Sequence, residues 1–125
     1  REGADAWVLR ATKSQSPLKF FTDEFRAAAS ARSLAPALLQ ILCGKGTGVY
    51  HLAGGRALSR WEIAQEVCRY AALPWIHQQA SLKEWQGAPR PARLFLTCQR
   101  AQGELGFHPP DLRQSLAKLT PPPDD

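Results

Sequence analysis

The residues best suited to chemistry in this chain are two arginines in a proline-broken loop, Arg90 and Arg93. Sixteen lysines and arginines outnumber eleven acidic residues, giving a net charge of +5, but they are scattered and only Arg90–Arg93 forms a dense group. A guanidinium can clamp a phosphate through two parallel hydrogen bonds, and the proline after Arg90 restricts the loop that carries it. The pattern predicts a phosphate-bearing small ligand rather than nucleic acid, which is bound by denser basic patches.

Patterns of common catalytic and cofactor sites are missing from the sequence. It contains no GxGxxG or GxxGxxG turn for a dinucleotide and no GxxxxGK[ST] phosphate loop. Neither Tyr50 nor Tyr70 is followed four residues later by lysine, and His51, His77 and His108 lack a metal-ligand spacing. We therefore assign no catalytic, cofactor-binding or metal-binding residue, expect surface or half-buried histidines, and leave the enzymatic activity of the chain open.

Cysteine usage and hydropathy indicate the compartment. Cys43, Cys68 and Cys98 are odd in number and form no CxxC pair, which predicts reduced thiols rather than a disulfide framework or a zinc site. No stretch approaches the roughly 18 consecutive apolar residues that cross a bilayer, and no charged-then-apolar leader opens the chain. We expect a soluble, cytoplasmic protein without a membrane partner.

The elements that would position these residues are clearest in Gly48–Pro74. Val49–Leu52 predicts a short strand, and Ser59-Arg60-Trp61-Glu62 is a capping box that begins a helix. Apolar residues then recur at helical spacing until Pro74, namely Ile63, Ala64, Val67, Cys68, Ala71 and Ala72. The segment predicts a strand, a glycine turn and an amphipathic helix.

The pattern before this unit predicts three further elements. They are a buried parallel strand over Trp7–Thr12, an extended piece over Lys19–Phe25 that is a short strand or a loop, and a helix over Leu34–Cys43. Ser33 would cap that helix, Pro36 would fall in its first turn, and Gly44 and Gly46 would close it.

After Pro74 the sequence predicts short elements separated by turns. They are a strand over Trp75–Ala80, a capped turn from Ser81, an extended Leu94–Leu96, a helix over Cys98–Leu105 capped by Thr97, and a helix that follows Asp111 and buries Leu112, Leu116 and Leu119. Strands that alternate with helices predict an α/β chain with at least one parallel crossover.

The order of these motifs resembles the C-terminal, substrate-binding part of extended short-chain dehydrogenases/reductases, within them the dTDP-4-dehydrorhamnose reductase-like, sugar-nucleotide-binding group. The resemblance runs from Trp7 to Leu119 and is carried by G-V-Y-H-L-A-G, L-S-R-W-E-I-A, R-P-A-R-L-F-L and R-A-x-x-E-L-G-F. It implies the C-terminal portion of a Rossmann-type fold over residues 1–120, without the dinucleotide-binding half, and a disordered tail over 121–125.

The resemblance also implies a function. The chain would be the sugar-nucleotide-binding portion of an NAD(P)-dependent reductase or epimerase-like protein, whose cofactor and Tyr-x-x-x-Lys dyad lie in the other half. The alternative is a non-catalytic regulatory or protein-interaction module derived from that fold. One departure is that Ala28-Ala29 replaces the family's Pro-Thr pair in the substrate cleft. The candidate substrate-contacting residues are Arg90 first, then Arg93, Asp23 and Arg26.

Separation of such a fold from its other half has a physical consequence. Strand edges and apolar faces normally covered by the missing Rossmann half would be exposed, and exposed edges pair with other chains. We expect Trp7, Val8 and Leu9 to form this edge. The isolated chain is predicted to be weakly stable or to self-associate.

Overall fold

The computed structural model describes residues 4–109 and 111–117. Helices span Ala4–Lys13 (α1), Ala31–Gln40 (α2), Arg60–Tyr70 (α3), Gln99–Leu105 (α4) and Leu112–Ala117 (α5). Short strands span Lys19–Phe21 (β1), Phe25–Arg26 (β2), Leu58–Ser59 (β3), Gln78–Ala80 (β4) and Arg93–Leu94 (β5), with a π-type turn at Ile41–Lys45 and a 3₁₀ turn at Leu82–Glu84. In this part of the chain no helix has the length and apolar character to cross a membrane.

The strands form two small sheets. β1 pairs in parallel with β4, with Phe20 opposite Gln79. In the second sheet β2 lies in the middle, antiparallel to β3 and parallel to β5. The predicted α/β class and parallel crossovers are therefore confirmed. The shortest connection between the two sheets is the three-residue link from β1 to β2, so side chains of that link lie where the sheets meet.

Helix α3 forms as the capping box predicts. The Ser59 hydroxyl accepts a hydrogen bond from the Glu62 amide at 3.1 Å, and the Glu62 carboxylate accepts one from the Ser59 amide at 2.7 Å. Both bonds satisfy amides that have no partner within the first turn. The buried residues of α3 are Ile63, Ala64, Val67 and Cys68.

The prediction of a strand over Trp7–Thr12 is wrong, because these residues lie in helix α1. Its buried residues, Val8, Ala11 and Thr12, recur at helical spacing and pack towards α3. An apolar run of this length does not distinguish a buried strand from one face of a short helix. Residues 7–9 accordingly form no strand edge, and only Trp7 among them is substantially exposed.

The strand predicted over Val49–Leu52 is also absent. Within the described residues no strand lies beside this segment, and a strand needs a hydrogen-bonded neighbour. Exposure still alternates along it, since Val49 and His51 are exposed whereas Tyr50 and Leu52 are half-buried. The side-chain alternation that the sequence shows is therefore present without the pairing.

The helix predicted over Leu34–Cys43 begins three residues earlier, at Ala31. Ser30 is its cap, and the Ser30 hydroxyl accepts a hydrogen bond from the Ser33 amide at 3.2 Å. Pro36 is therefore the sixth helical residue rather than part of the first turn. Gly44 closes the following turn with a left-handed backbone, φ 78°, which glycine adopts without strain.

Several later boundaries also shift. The strand predicted over Trp75–Ala80 is confined to Gln78–Ala80, and the extended Leu94–Leu96 contributes only Leu94 to β5. Cys98 rather than Thr97 occupies the cap position of α4, without a side-chain bond, and Gly106 ends that helix with φ 61°. Asp111 caps α5 through the Gln114 amide, as predicted. Leu119 and the tail predicted over 121–125 lie outside the described residues.

Two hydrophobic clusters hold these elements together. The first joins α1, β1, α3 and α5 through Val8, Phe20, Ala64, Val67, Cys68 and Leu116. The second joins α2, α4 and the segment before β3 through Ala37, Ala53, Cys98, Ala101, Leu105 and Phe107. The link between β1 and β2 therefore connects an element of the first cluster to the sheet beside the second.

The His77 ring packs edge to face against Phe20 and Trp75 beside the first cluster. His77 is not the surface or half-buried residue that was expected, since only 6% of its surface is exposed. The Leu18 amide donates to its Nδ1 at 3.1 Å, so the proton of the neutral ring lies on Nε2. Nε2 is 2.8 Å from the Thr12 hydroxyl, which itself donates to the Val8 carbonyl. Burial lowers the pKa of His77 below 6.5.

We expect this histidine to make folding pH-dependent. The folded protein favours the neutral ring, so its contribution to stability is complete above about pH 6.5 and is lost as the pH falls through the lowered folded pKa. Each unit of lowering corresponds to about 1.4 kcal/mol. Urea denaturation at several values between about pH 7.5 and about pH 5 measures this change in the free energy of unfolding. His77→Asn, which keeps an acceptor for Leu18, should flatten this profile; an unchanged profile in the variant would contradict the assignment.

Candidate functional site

The best candidate site is a cleft of about 340 Å³ beside β1, the beginning of α3 and the 3₁₀ turn. This volume is in the range of small-molecule sites. Its lining residues come from six separate segments and combine aromatic rings with charged groups, namely Trp7, Lys19, Phe20, Phe21, Arg60, Ala80, Ser81, Glu84, Trp85 and Arg90. The cleft thus contains the one arginine that the sequence placed first among the candidate ligand contacts.

Arg90 is held in a defined position at this cleft. Its guanidinium carbon lies 5.3 Å from the centroid of the Phe21 ring and 5.2 Å from that of Trp85. The two rings meet edge to face, and the indole N–H of Trp85 donates to the Ala88 carbonyl at 2.8 Å, which fixes the loop. Aromatic faces attract a guanidinium and leave its edge available for hydrogen bonds.

A buried carboxylate lies behind Arg90. The side chain of Glu24 is only 1% exposed, and its Oε1 accepts hydrogen bonds from Arg26 at 2.6 Å and from Arg90 at 3.1 Å. The other oxygen, Oε2, is buried and has no partner among the described residues. A buried carboxylate is stable only when paired, so the two arginines are necessary to Glu24 as much as Glu24 is to them.

Arg26 and Arg93 lie near this group, but neither lines the cleft. Arg26 donates to the carbonyls of Phe25 and Pro91 at 2.7 and 3.0 Å as well as to Glu24. Both of its terminal nitrogens therefore bind acceptors of the protein, and Arg26 is not among the lining residues of the cleft. Arg93 is exposed, with its guanidinium carbon 5.0 Å from the centroid of the Phe25 ring. The four candidates are therefore close in sequence or space, but only Arg90 reaches the cleft.

Asp23 has a structural task in this geometry. Its carboxylate accepts hydrogen bonds from the Ser81 hydroxyl at 2.6 Å and from the Leu82 amide at 2.8 Å. The Ser81 hydrogen bond lowers the pKa of Asp23 below its ordinary value. Asp23 thereby fixes the 3₁₀ turn that carries Glu84 and leads to Trp85, and so shapes one wall of the cleft.

The charge of the lining favours an anion. Lys19, Arg60 and Arg90 contribute three positive charges and Glu84 one negative charge, a net charge of +2 for the lining. A cleft lined by charges of one sign raises the local concentration of ligands of the opposite sign. Aromatic rings next to these cations add a surface on which a planar group can stack.

Sequence reasoning missed Glu24 and the aromatic partners of Arg90. Glu24 lies in an extended, charged segment that looks like a solvated loop, and its burial depends on contacts with Arg90, 66 positions away. Trp85 had a detectable signal, since a tryptophan in a polar, proline-containing loop has no place in a helical stripe and must find other contacts. Phe21 belongs to the predicted extended piece, but the sequence does not show which side it faces.

Two of the glycines most densely grouped in the sequence face the protein's own side chains. The glycine-containing segment Gly44–Gly48 follows α2, and a Cβ at Gly46 would lie 2.8 Å from the Tyr50 hydroxyl oxygen. A Cβ at Gly48 would lie 3.2 Å from the Arg100 guanidinium. These glycines thus make room for the protein's own side chains, and the NAD(P) implied by the resemblance does not fit there.

Other chemically active groups do not assemble into a site. No group of three His, Cys, Asp or Glu residues that could hold a metal ion occurs in 4–109 and 111–117. Cys43 is exposed, Cys68 and Cys98 are buried, and all are free thiols. A second depression of about 200 Å³ between α3 and α5 is lined by Glu62 and Glu66 among others, but these carboxylates are occupied by the α3 cap and by arginine pairs.

The fold and the cleft together define a class of protein. The chain has the mixed α/β architecture of the C-terminal portion of Rossmann-type extended reductases, with a cationic and aromatic cleft. A family model described as the RmlD substrate binding domain matches residues 2–122, and the chain belongs to that family. The predicted resemblance to the substrate-binding part of dTDP-4-dehydrorhamnose reductases is confirmed.

Relatives of known sequence or structure agree with this assignment. A probable low-salt glycan biosynthesis reductase of Haloferax volcanii is 27% identical over 121 residues, which cover 94% of this chain and 40% of the reductase. The crystal structure of the dTDP-4-dehydrorhamnose reductase of Bacillus anthracis in complex with NADP has a TM-score of 0.84 at 18% identity and covers 94% of this chain and 42% of that one.

A third relative is also a solved structure. The structure of a hypothetical dTDP-4-dehydrorhamnose reductase from Sulfolobus tokodaii is 28% identical with a TM-score of 0.71, and it covers 86% of this chain and 38% of that chain. The chain therefore spans about two fifths of the length of the relatives that it matches.

Proposed function

We propose that this chain is the sugar-nucleotide-binding portion of an NAD(P)-dependent reductase or epimerase of the dTDP-4-dehydrorhamnose reductase kind, with residues 1–120 forming the binding part. The observation that carries this proposal is the position of Arg90, which lies against the rings of Phe21 and Trp85, is hydrogen-bonded to Glu24 and lines a cleft with a net charge of +2. Family membership supports a nucleotide sugar over other anions.

The cleft provides complementary groups for the parts of such a ligand. The diphosphate would lie against Arg90, with Lys19 and Arg60 adding positive charge. Trp7 and Trp85 are among the more exposed large apolar side chains, and they offer faces for the base or the sugar. Arg26 and Asp23 act indirectly on this account, because the structure commits their polar atoms to the loop and turn that support the cleft.

The chain alone would bind without reducing its ligand. Hydride transfer needs the nicotinamide of NAD(P) and an acid–base group. The sequence contains neither a glycine-rich dinucleotide-binding turn nor a Tyr-x-x-x-Lys dyad. Both would be supplied by an NAD(P)-binding portion, in the same longer chain or in a separate one. The contribution of this chain is then to hold the sugar nucleotide in place.

Replacement of Arg90 tests the proposed function. Calorimetric titration of the 125-residue chain with dTDP-glucose should show binding, and Arg90→Gln should weaken it by about tenfold or more because a charge-assisted phosphate contact is lost. The matched control is Arg69→Gln, which removes the same charge from an exposed ion pair on α3 away from the cleft. We expect it to change the affinity by less than about twofold.

Two outcomes would count against this proposal. One is a folded wild-type chain that does not bind dTDP-glucose. The other is equal weakening by both substitutions, which would indicate a general charge effect rather than a contact at Arg90.

A second feature, an exposed leucine surface, supports contact between this chain and the NAD(P)-binding portion. Leu38, Leu39 and Leu42 are 48%, 60% and 81% exposed on one side of α2 and the turn after it. Val49, at the beginning of the unpaired extended segment, is 73% exposed. Since the chain covers 42% of the B. anthracis reductase, we propose that the remaining portion of such a protein covers this leucine face.

The leucine face makes a prediction for the isolated chain. Without a covering partner it should self-associate, and Leu39→Gln with Leu42→Gln should give a monomer with an unchanged circular dichroism spectrum. The control is Leu94→Gln with Leu96→Gln, which changes two other half-exposed leucines, in and just after β5. Sedimentation velocity distinguishes the cases, and self-association abolished only by the β5 pair would show that a different surface is responsible.

A further inference from the structure

We propose that Glu24 is a positioning residue, whose carboxylate sets the direction of the Arg90 guanidinium towards the cleft. This proposal rests on the proposed function for the nature of the ligand. The supporting geometry belongs to the free protein, since Arg26, Glu24 and Arg90 form a continuous chain of hydrogen bonds from the interior to the cleft.

The first link fixes the carboxylate itself. The Arg26 guanidinium donates to Glu24 Oε1 and to the carbonyls of Phe25 and Pro91, so it joins the carboxylate to β2 and to the loop that carries Arg90. The main chain is fixed as well, because the Glu24 carbonyl accepts from the Arg60 amide at 2.9 Å. Glu24 therefore has no freedom to follow Arg90, and Arg90 must orient to it.

The second link fixes the guanidinium. Phe21 and Trp85 hold it at the junction of their two perpendicular rings, but these ring contacts alone leave rotation of the guanidinium open. The hydrogen bond from Arg90 to Oε1 removes this freedom by anchoring one nitrogen. The remaining donors of the planar fork then point in fixed directions, which is what a bidentate phosphate contact needs.

Charge is arranged so that this anchor does not neutralise the site. One carboxylate faces two guanidinium groups, so a net charge of +1 remains on the three groups together. Arg26 is 22% exposed and committed to internal acceptors, whereas Arg90 is 33% exposed and lines the cleft. The residual positive charge is thus presented to the ligand on Arg90.

The sign of an affinity change tests this role, with dTDP as the probe. Glu24→Gln removes one negative charge near the cleft, so electrostatics alone would tighten the binding of the dTDP anion. A positioning role instead predicts weaker binding, by about three- to tenfold, because an amide holds the guanidinium less firmly than a carboxylate. The comparison variant is Glu84→Gln, which makes the same charge change in the cleft lining without removing a partner of Arg90 and should tighten binding.

Arginine side-chain NMR in the free protein gives a readout that does not depend on any ligand. The Nη2–H signal of Arg90, the group that donates to Glu24, is assigned by its loss in Arg90→Lys. It should exchange slowly with solvent in the wild type and faster in Glu24→Gln. If dTDP does not bind the wild type, the proposed function fails while this signal still tests the positioning. Unchanged Arg90 exchange in a folded Glu24→Gln variant, or tighter dTDP binding by it, would overturn the inference.

Discussion

The burial of a single carboxylate constrains much of this structure. Glu24 lies in the short connection between β1 and β2, which joins the two small sheets, and it is almost inaccessible to solvent. Because an unpaired buried charge is strongly unfavourable, the fold must bring arginines to this point, one from β2 and one from a loop 66 residues further along the chain. The position of that loop, and of the cleft beside it, follows from this requirement.

The neighbouring residues extend the same constraint. Asp23 holds the 3₁₀ turn, the Glu24 main chain accepts from the first amide of α3, and Arg26 holds the carbonyl of Pro91. Three residues of one short segment, Asp23, Glu24 and Arg26, therefore hold the 3₁₀ turn, the beginning of α3 and the Arg90 loop around the cleft. This explains why residues expected to contact a ligand directly support the site instead, and why Arg90 alone of the four candidates reaches it.

Local signals in the sequence predicted local structure well. The α3 capping box needs only residues within one turn, and its helix formed as expected. Predictions that depend on neighbours distant in the chain failed, since α1 was mistaken for a strand and Val49–Leu52 lacks the strand beside it that its alternation indicates. Arg90 was predicted as a candidate because its proline and its family motif are adjacent to it, whereas the burial of Glu24 was not predicted because only tertiary contact produces it.

The central claim is that Arg90, held by Glu24 and two aromatic rings, binds the diphosphate of a sugar nucleotide. A crystal structure of the chain grown with dTDP tests it most directly. The account predicts diphosphate oxygens about 3 Å from the Arg90 guanidinium nitrogens, with the Glu24 contact retained behind them. A nucleotide bound elsewhere, or one in the cleft whose phosphates do not contact Arg90, would contradict it.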